Sequence, residues 1–395
     1  MRICLHDFSG HPFQAELARR LADRGHEVVH TSAAEYVSGK GDLAAEDDPR
    51  LSFVRLAIDR PYEKNSPRAR LAWERAYADA TIDHLRSERF DAFISCNIPL
   101  LASHRIARWS RRHRLPWVFW HQDVYSAAMS DELRTRLPRP AAAAGARVLD
   151  RMEAYLARKA AHVVAIGDAF TEVYDGWGVD PGRVSVIPNW APLGDIRPRP
   201  RENPSADDLF VERPGLRLLY AGTIGRKHNP ALLVDLMQQL RQAGVEAQLT
   251  VVSEGDAADD LVGSDPDLRV VRFQPAEALA DVLGSADVLV ALLEPDATRF
   301  SIPSKVLSYM AAGRPILGLM PSDNPAATDI VASGGHVGTP DLEGVSGSID
   351  WLGSLDASAV AEIGARARAV AEEKFDVARV TDRFEVIAAD ATSGR

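Results

Sequence analysis

The chain has 395 residues, of which 46% are hydrophobic and 26% are charged, and this length indicates two domains rather than one core. The hydrophobicity excludes a disordered chain, and only two cysteines exclude a disulfide-stabilised miniprotein and favour a reduced, cytoplasmic setting. No apolar run approaches the about 20 residues of a membrane-spanning helix. The opening MRICLHDFSG is predicted to be a strand rather than a secretion signal, because Asp7 interrupts it.

The charge is distributed unevenly along the chain, whose formal net charge is -10. Residues 1–195 carry 27 Lys and Arg against 26 Asp and Glu, whereas residues 196–395 carry 19 against 30. An acidic chain without a recognised binding module argues against nucleic acid as a partner. Only six of the 46 basic residues are lysines, so the positions of those lysines are informative.

In the first half, short apolar segments alternate with longer helical ones, which is typical of a parallel sheet covered on both faces. Strands are predicted at Arg2–Phe8, Glu27–Thr31, Ser52–Ala57, Ala92–Ser95, Trp117–His121, His162–Ile166 and Val184–Ile187. Helices are predicted at His11–Arg24, Arg68–Arg86, Leu100–Arg114, Ala141–Lys159 and Asp168–Trp177.

A charged segment with five prolines, residues 188–205, follows and excludes a continuous helix or a central strand, so we predict an interdomain linker there. The alternation then resumes. Strands are predicted at Leu216–Ala221, Gln248–Val252, Leu268–Arg272, Val288–Leu292 and Pro315–Leu319. Helices are predicted at Pro230–Ala243, Ala276–Leu283, Ser304–Ala312, Pro325–Ala332, Ala357–Glu373 and Asp376–Ala389.

These elements predict an α/β protein with two doubly wound, Rossmann-like parallel-sheet domains that face each other across a cleft. The predicted domains are residues 1–195 and 196–375, and residues 376–395 are predicted to form a helix that crosses back to the first domain. Ligands of such sheets bind beyond the carboxyl ends of the strands, so we expect the chemistry in the loops that follow strands.

The first candidate site is the loop after the first strand of the second domain. Gly222, Thr223 and Gly225 allow backbone N–H groups to approach a ligand closely, and the start of the next helix favours an anion. Arg226 and Lys227 add positive charge at that point. The pattern indicates a diphosphate site, with an ordinary tight turn as the alternative, and it matches neither a Walker loop nor a dinucleotide-binding fingerprint.

The second candidate site is the start of the helix in PSKVLSYMAAG. Pro303 fits the first turn of a helix, and Ser304 and Lys305 stand beside it. Two of the six lysines, Lys227 and Lys305, therefore fall in the two loops expected to bind phosphate, where a compact charge suits an anion. The alternative is an ordinary capped helix between two strands.

A third candidate site ends the predicted strand WVFWH in the first domain. The strand would deliver His121 and Asp123 to its carboxyl end, on the side of the cleft. The alternative is a polar pair that merely terminates a buried strand.

Together these motifs resemble glycosyltransferase family 4, which has the GT-B fold. GTIGRK, SADVLVALLEP and PSKVLSYMAAGRPIL resemble the nucleotide-sugar donor domain of that family, and HDFSGHPFQAELARRLADRGHEVV and VSVIPNWAP resemble its N-terminal, acceptor-side domain. The resemblance covers nearly the whole chain and points to the bacterial branch that builds O-antigen and other surface polysaccharides. It implies a retaining, hexosyltransferase-type transfer from a nucleotide-sugar to a glycan, a lipid-linked sugar or a small molecule, with no metal or other cofactor.

The resemblance also implies roles for single residues on the donor side. Arg226 or Lys227 would contact the donor diphosphate, and Ser304 and Lys305 would make a second contact near the phosphates. Departure of the nucleotide builds charge on the leaving phosphate, and these cations are suited to stabilise it. Lys227 and Lys305 are therefore predicted to be catalytic.

On the acceptor side, the resemblance implies that Gly10 lies in a loop that touches the donor. It also implies that His121 is a catalytic residue near the reacting sugar, with Asp123 beside it on the acceptor side. Because the leaving phosphate oxygen could take the proton of the acceptor, no dedicated general base is required.

One departure from the family concerns its paired glutamates ahead of the AAG turn, the second of which contacts the ribose. Phe300 and Ser308 occupy those positions here. Ser308 could still bind a ribose hydroxyl, and Glu294 could replace part of the acidic function or simply end its strand.

Residues 101–159 carry 12 basic and five acidic side chains, with several arginines on the predicted helix that begins at Leu100. With the neighbouring Ile106, Trp109, Leu115 and Trp117, this helix is predicted to lie on an anionic membrane surface, which would place the protein peripherally on the inner face of the membrane. A lipid-linked acceptor would fit that setting. The alternative is a solvated helix face.

Three other readings remain open at the level of the sequence. A nucleotide-sugar epimerase of GT-B architecture would need acid and base residues, and no convincing carboxylate set is found. A sugar-binding protein would act outside the cytoplasm, and a catalytically silent GT-B partner subunit would fit the substitutions Phe300 and Ser308. No His or Cys cluster has metal-ligand spacing, and Asp265-Pro266-Asp267 is interpreted as a turn rather than a metal motif.

Overall fold

A computed structural model describes residues 1–34, 43, 48–59, 66–225, 228–295, 300 and 303–393. The chain divides into two units, Met1–Pro188 with Val377–Arg395, and Asn189–Asp376, which are called the first and the second unit below. Each unit is built around one parallel sheet with helical crossovers.

The first unit contains a seven-stranded, all-parallel sheet with the order β3-β2-β1-β4-β5-β6-β7. The central strands are buried on both faces, which explains their almost continuous apolar sequences. The strands are β1 (Arg2–Asp7), β2 (Glu27–Ala33), β3 (Leu51–Leu56), β4 (Ala92–Cys96), β5 (Trp117–His121), β6 (His162–Ala165) and β7 (Val184–Val186). The helices are α1 (Pro12–Asp23), α2 (Pro67–Ser87), α3 (Leu100–Arg112), α4 (Tyr125–Arg136), α5 (Arg139–Lys159) and α6 (Ala169–Trp177).

The second unit contains a six-stranded, all-parallel sheet with the order β10-β9-β8-β11-β12-β13, which repeats the pattern of the first sheet. Its strands are β8 (Leu216–Ala221), β9 (Ala247–Val252), β10 (Leu268–Val271), β11 (Val288–Leu292), β12 (Ile316–Leu319) and β13 (His336–Gly338). Its helices are α7 (Ala206–Leu209), α8 (Ala231–Gln242), α9 (Asp256–Asp259), α10 (Leu279–Gly284), α11 (Ser304–Ala311), α12 (Pro325–Ala332), α13 (Leu342–Gly353) and α14 (Ala357–Lys374).

The last helix, α15 (Val377–Ser393), belongs to the first unit. Its buried face includes Phe384, whose ring lies 4.7 Å from that of Trp120 on β5. At its polar edge Glu385 binds Arg24 at 3.0 Å and His26 at 2.8 Å. This helix is therefore part of the core of the first unit rather than an appended tail.

The segment predicted as a linker differs from that prediction. Residues 189–205 belong to the second unit and are held there by specific contacts. Arg201 forms an ion pair with Asp287 at 2.9 Å, and the Asn203 amide donates to the Asp281 carbonyl at 3.0 Å. The prolines exclude regular structure, as expected, but the backbone is fixed by side chains instead of being left as a spacer.

Five of these helices and strands were not predicted: α4, α7, α9, α13 and β13. Helix α4 has almost no amphipathic pattern, because only Ser126 and Ser130 are buried along it. Strand β13 has three residues, two of them His336 and Gly338, and lacks an apolar run. Periodicity cannot detect elements that are very short or that bury only polar residues. Helix α13 is different, because it buries Val345, Ile349 and Leu352 at helical spacing, and this pattern was missed.

Helix α11, which carries several candidate residues, is anchored by α14. Arg368 on α14 donates to the carbonyl of Ala311 at 2.7 Å and to that of Ile196 at 2.8 Å. A Cβ atom on Gly364 would lie 2.2 Å from the Gly313 carbonyl oxygen, so the two backbones meet directly. These contacts fix the end of α11 to α14. Because the helix is rigid, the position of its first residues is fixed as well.

Candidate functional site

Both sheets reverse their strand order at one point, between β1 and β4 in the first unit and between β8 and β11 in the second. In open parallel sheets a crevice opens at the carboxyl ends of the strands at such a switch point, because the two crossovers leave in opposite directions. Candidate side chains are expected there in both units.

In the second unit, the loop after β8 forms the tight turn that the glycines predict. Gly222 has a φ of 138°, a region that favours glycine. The Tyr220 hydroxyl donates to the Thr223 carbonyl at 3.1 Å, and the Gly225 N–H donates to His228 Nδ1 at 3.0 Å. The loop is therefore held in shape by its flanking side chains. Arg226 and Lys227 lie outside the described residues, so their predicted contacts stay predictions.

Lys305 lies directly against this turn. Its Nζ donates to the Tyr220 hydroxyl and lies 3.8 Å from the centre of the Tyr220 ring, and its end passes 3.4 Å from the position of a Cβ on Gly222. No carboxylate among the described residues pairs with it. Because burial removes water from the ammonium without supplying an opposite charge, the pKa of Lys305 falls to about 7.

Tyr309, one helical turn after Lys305, has a function that the sequence did not reveal. Its hydroxyl accepts from the Ala221 N–H and donates to the Ala221 carbonyl, both at 3.0 Å. The ring is fully buried. Tyr309 thus fixes α11 to the end of β8 and brings Lys305 to Gly222.

A pocket of about 230 Å³ opens beside Lys305 at the carboxyl edge of the second sheet. Its walls are mostly apolar, and its polar side chains are Gln274 on one wall and those contributed by α11. The wall residues include Val252, Phe273, Pro275, Leu279 and Val282, and the polar side carries Lys305 and Ser308. An apolar slot that ends at a cation suits a flat ring joined to an anionic group.

Of the other predicted residues of the second unit discussed next, one lines this pocket and the rest do not. Ser308 lines it, whereas Ser304 is exposed at the start of α11. Glu294 is half-buried two residues after β11, and it is not part of the pocket wall. Phe300 is half-buried.

In the first unit, His121 has a different environment from the one predicted. It is buried, with Nδ1 2.9 Å from the Tyr174 hydroxyl and Nε2 3.2 Å from a carboxylate oxygen of Glu153. Both ring nitrogens are therefore occupied inside the unit, and this arrangement leaves neither one for a sugar. The prediction of a catalytic role for His121 remains untested, but the geometry favours a structural one.

Glu153 on α5 is the centre of this buried group, and no local sequence signal identifies it. One carboxylate oxygen accepts from the Tyr125 N–H at 2.9 Å and the other from the Ser126 N–H at 2.8 Å, so Glu153 caps α4 from another helix. Although burial raises the pKa of Glu153, the hydrogen bonds from His121 and Ser126 and the charge of His121 lower it below its usual value.

Gly10 and Asp123 lie at the carboxyl edge of the first sheet. Gly10 has a φ of 71°, and the loop it forms leads into α1. Asp123 is exposed two residues after β5, and its charge reaches His11, the residue that follows Gly10.

The basic helix α3 places three of its arginines along an open groove of about 640 Å³ beside α5. Arg108, Arg111 and Arg112 line it with Trp109 and Tyr155. None of these three arginines has a carboxylate partner within the described part of the chain. Arg105, by contrast, points away and binds Asp79.

Two of the apolar residues expected near a membrane are part of the core instead. Ile106 is 1% exposed and Trp117 is 5% exposed, so neither can enter a lipid surface. In the described ranges no helix combines the length and the apolar character that a membrane crossing requires.

Across the same ranges no three His, Cys, Asp or Glu side chains cluster in a way that could hold a metal ion.

Replacing Glu153 by Ala is expected to lower the free energy of unfolding by about 3–5 kcal/mol, because His121 and two N–H groups lose their buried partner. Since the carboxylate form of Glu153 is favoured in the folded state, its stabilisation is present above the unfolded pKa of about 4.3 and is lost as the pH falls through the lower folded pKa. Urea unfolding at neutral and acidic pH measures both effects.

The matched control is Glu132→Ala, which removes an exposed ion pair with Arg136 on α4 and is expected to change stability by less than about 0.5 kcal/mol. Equal effects of the two substitutions would contradict the assigned role of Glu153.

Comparison with known proteins agrees with this architecture. Residues 11–190 match the family model described as "Glycosyl transferase 4-like domain", and residues 215–362 match that described as "Glycosyl transferases group 1". The two matches together cover most of both sheets. No curated protein sequence matches the chain significantly.

Solved structures share the fold at low sequence identity. Sucrose-phosphate synthase (tll1590) from Thermosynechococcus elongatus is similar with 15% identity and a TM-score of 0.73, and Anabaena Alr3699/HepE in complex with UDP-glucose with 16% identity and a TM-score of 0.67. WaaG, a glycosyltransferase involved in lipopolysaccharide biosynthesis, is similar with 15% identity and a TM-score of 0.65. In each of the three cases the match covers 100% of both chains. The chain therefore belongs to the family 4-like glycosyltransferases, which have the GT-B fold.

Proposed function

We propose that the protein transfers a hexose from a nucleoside-diphosphate sugar to a hydroxyl of an acceptor, with retention of configuration and without a metal. The observation that supports this most is the position of Lys305. It is a largely buried cation that pairs with no carboxylate in the described part of the chain, and it is held over Gly222 at the switch point of the second sheet.

An unpaired buried ammonium is costly, so a protein that keeps one there gains from an anion that binds to it. The turn at Gly222 opens the backbone beside the same point, and the apolar pocket adjoins it. A nucleoside diphosphate combines the groups that these features suit, a flat base for the pocket and phosphates for Lys305. Solved structures of a similar fold have been determined in complex with UDP and UDP-glucose, which supports this class of donor.

In the proposed reaction, the bond between the anomeric carbon and the phosphate oxygen breaks while the acceptor oxygen attacks from the same face. Lys305, with the predicted cations Arg226 and Lys227, stabilises the charge that develops on the leaving diphosphate. Fixed cations can perform this task without a metal. The acceptor is proposed to be a glycan or a lipid-linked sugar of a surface polysaccharide.

Two alternatives make different predictions. A nucleotide-sugar epimerase would convert the donor without any acceptor, and a silent partner subunit would bind the nucleotide without turnover. Ser308 lines the pocket at a position where the family has an acidic residue that contacts the ribose. This substitution is the reason for considering a silent subunit.

The first test is a panel of UDP, GDP, ADP and TDP sugars, with nucleotide binding followed by thermal stabilisation and turnover followed by nucleotide release. The wild-type protein is expected to release a nucleoside diphosphate only when a sugar acceptor is present. Lys305→Ala and Lys227→Ala are each expected to lower this turnover by about 10²-fold or more.

Lys374→Ala is the control, because Lys374 is an exposed lysine of the same unit that pairs with Asp329. Near wild-type turnover in both test variants would contradict the role of these cations. Isomerisation without acceptor would favour the epimerase, and binding without turnover would favour the silent subunit.

The pKa of Lys305 gives a second prediction. With a pKa of about 7 in the free protein, Lys305 loses its charge above neutral pH, whereas a bound diphosphate favours the charged form. The affinity for the nucleotide sugar found in the panel, whose diphosphate is esterified at both ends and stays ionised, is therefore expected to be constant below about pH 7. Above it, the affinity is expected to fall about tenfold per pH unit, with uptake of a proton on binding.

Isothermal titration calorimetry in buffers of different ionisation enthalpy measures this uptake directly. Lys305→Ala is expected to abolish the uptake at alkaline pH, and Lys374→Ala to retain it. Equal proton uptake in the wild type and in Lys305→Ala would assign the effect to another group.

The groove on α3 supports an additional proposal, that the protein binds an anionic membrane surface on which a lipid-linked acceptor is held. Arg108, Arg111 and Arg112 supply the charge. Because Ile106 and Trp117 are buried, the attraction is electrostatic rather than due to insertion of these residues.

Sedimentation with phosphatidylglycerol vesicles is expected to retain the protein at low salt and to release it at high salt, and phosphatidylcholine vesicles are expected not to bind it. Changing Arg108, Arg111 and Arg112 together to Gln is expected to abolish binding. The control changes Arg134 and Arg136 on α4, which have exposed acidic partners. Binding that survives high salt would contradict an electrostatic surface.

A further inference from the structure

The side chain of Tyr220 joins Lys305 to the turn at Gly222. Tyr220 is the last residue but one of β8, and it is fully buried in an apolar core that includes Leu232 and Leu236 of α8. A side chain packed in such a core keeps one position, because its neighbours leave no space for another. The Tyr220 hydroxyl is therefore held at a fixed point at the carboxyl end of the strand.

This hydroxyl contacts two groups that differ in charge. It donates its proton to the Thr223 carbonyl at 3.1 Å, so its lone pairs are left to accept from the Lys305 ammonium. Nζ of Lys305 also lies 3.8 Å from the centre of the Tyr220 ring, which is within the range of a cation–π contact. Both contacts favour the charged form of Lys305, because a hydrogen bond from an ammonium is stronger than one from a neutral amine.

The contact with Tyr220 uses only part of the ammonium. A lysine ammonium has three N–H donors, and one of them is directed to the Tyr220 hydroxyl. Nζ makes no other hydrogen bond to a described residue, and Lys305 lines the pocket at this edge of the sheet. The same ammonium is therefore able to bind Tyr220 and an anion together.

Tyr220 and Tyr309 act on different parts of Lys305. The hydrogen bonds of the Tyr309 hydroxyl go to the backbone of Ala221, so Tyr309 places the helix that carries Lys305. Tyr220 contacts the ammonium itself. A role in holding the charge therefore belongs to Tyr220, and a role in placing the backbone belongs to Tyr309.

Lys305 is the member of this group whose protonation changes near neutral pH. Burial lowers the pKa of Lys305 to about 7, whereas burial raises the pKa values of Tyr220 and Tyr309 well above their usual values, so both hydroxyls keep their protons. Among the described residues, His228 is the other titratable side chain at this turn. Its ring lies 6.4 Å from that of Tyr220, and its Nδ1 accepts from the Gly225 N–H.

We propose that Tyr220 is a positioning residue that holds the charged form of Lys305 over the Gly222 turn while the remaining N–H groups of the ammonium bind the diphosphate of the donor. This inference rests on the proposed function and adds a residue to it. The Tyr220 hydroxyl keeps its proton on the Thr223 carbonyl throughout. Without the hydroxyl, Lys305 would lie in the same apolar surroundings with one partner fewer, and the neutral amine would be favoured.

The first test measures the pKa of Lys305 without any ligand. The protein is labelled with a trace of acetic anhydride between about pH 5 and 10, and peptide mass spectrometry follows the acetylation of residue 305, which requires the uncharged amine. Tyr220→Phe keeps the buried ring and removes the hydroxyl, and the exposed Thr223 carbonyl then binds water. The pKa of Lys305 is expected to fall by about one unit, because the ammonium loses a charge-assisted hydrogen bond.

The second test measures the affinity for the nucleotide sugar found in the panel, by isothermal titration calorimetry. Tyr220→Phe is expected to weaken binding about tenfold at pH 8, where Lys305 must take up a proton, and by less than about threefold at pH 5, where Lys305 is charged in both proteins. In the Lys305→Ala background, the same substitution is expected to change the affinity by less than about twofold at both pH values.

Turnover separates a positioning role from a catalytic one. Because Lys305 is charged in the complex with the donor, Tyr220→Phe is expected to raise the KM for the donor about tenfold at pH 8 and to keep kcat within about threefold. Lys305→Ala, by contrast, is expected to lower kcat itself.

Tyr77→Phe is the matched control, because Tyr77 is an equally buried tyrosine of the first unit, with its hydroxyl 3.0 Å from His6 Nε2. It is expected to leave the pKa of Lys305 and the nucleotide-sugar affinity unchanged. His228→Gln keeps an acceptor for the Gly225 N–H and is expected to retain the wild-type labelling midpoint of residue 305.

The outcomes separate this inference from the proposed function. If the wild type binds no nucleotide sugar, the proposed function fails, and the labelling alone decides whether Tyr220 holds the charge of Lys305. If the wild type binds one and folded Tyr220→Phe keeps the wild-type labelling midpoint, the role of Tyr220 is overturned and the proposed function stands. Equal losses of affinity at pH 5 and pH 8, or the same loss in the Lys305→Ala background, would assign the effect to the shape of the loop and would overturn that role as well.

Discussion

The direction of the strands is the constraint on which the rest of the structure depends. Every strand in both sheets is parallel to its neighbours, so each crossover must return the chain to the opposite edge before the next strand begins. All carboxyl ends of a sheet therefore meet at one edge, where backbone groups are left unpaired and loops can carry side chains. Gly222 and Lys305 lie at that edge in one unit, and Asp7, Asn97 and His11 lie there in the other.

The two switch points use charge in opposite ways. In the first unit a histidine and a buried carboxylate are placed together, and the hydrogen bond and charge of Asp7 raise the pKa of His11. In the second unit Lys305 contacts the Tyr220 hydroxyl and ring but no carboxylate among the described residues, so an anion that binds there would supply the opposite charge. The acidic net charge of the second half does not prevent this, because charges on the surface are screened by salt beyond about 10 Å whereas a desolvated cation acts at contact distance.

Local patterns were sufficient for most of the architecture, since the strands at 117–121, 216–221 and 288–292 have the bounds that apolar runs and turn residues predict. They were insufficient wherever a contact joins distant residues. Three such contacts cannot be predicted from residues that are adjacent in the sequence. They are the capping of α4 by Glu153, the hydrogen bonds of Tyr309 with Ala221 and the hydrogen bond of Asn97 to Asp7. His121 shows the same limit, because its position at a strand end was correct while its partners, Tyr174 and Glu153, come from two later helices.

The position of α15 has a consequence for how the protein is made. The second unit is a continuous segment inserted into the first, and the chain returns to the first unit only after Asp376. During synthesis, strand β5 emerges long before Phe384. Trp120 on β5 therefore stays uncovered until the last helix has been made. All residues of the second unit are synthesised before residue 377. The first unit, which begins the chain, is therefore completed last. A ribosome that stops before residue 377 would release one finished unit and one with an open core.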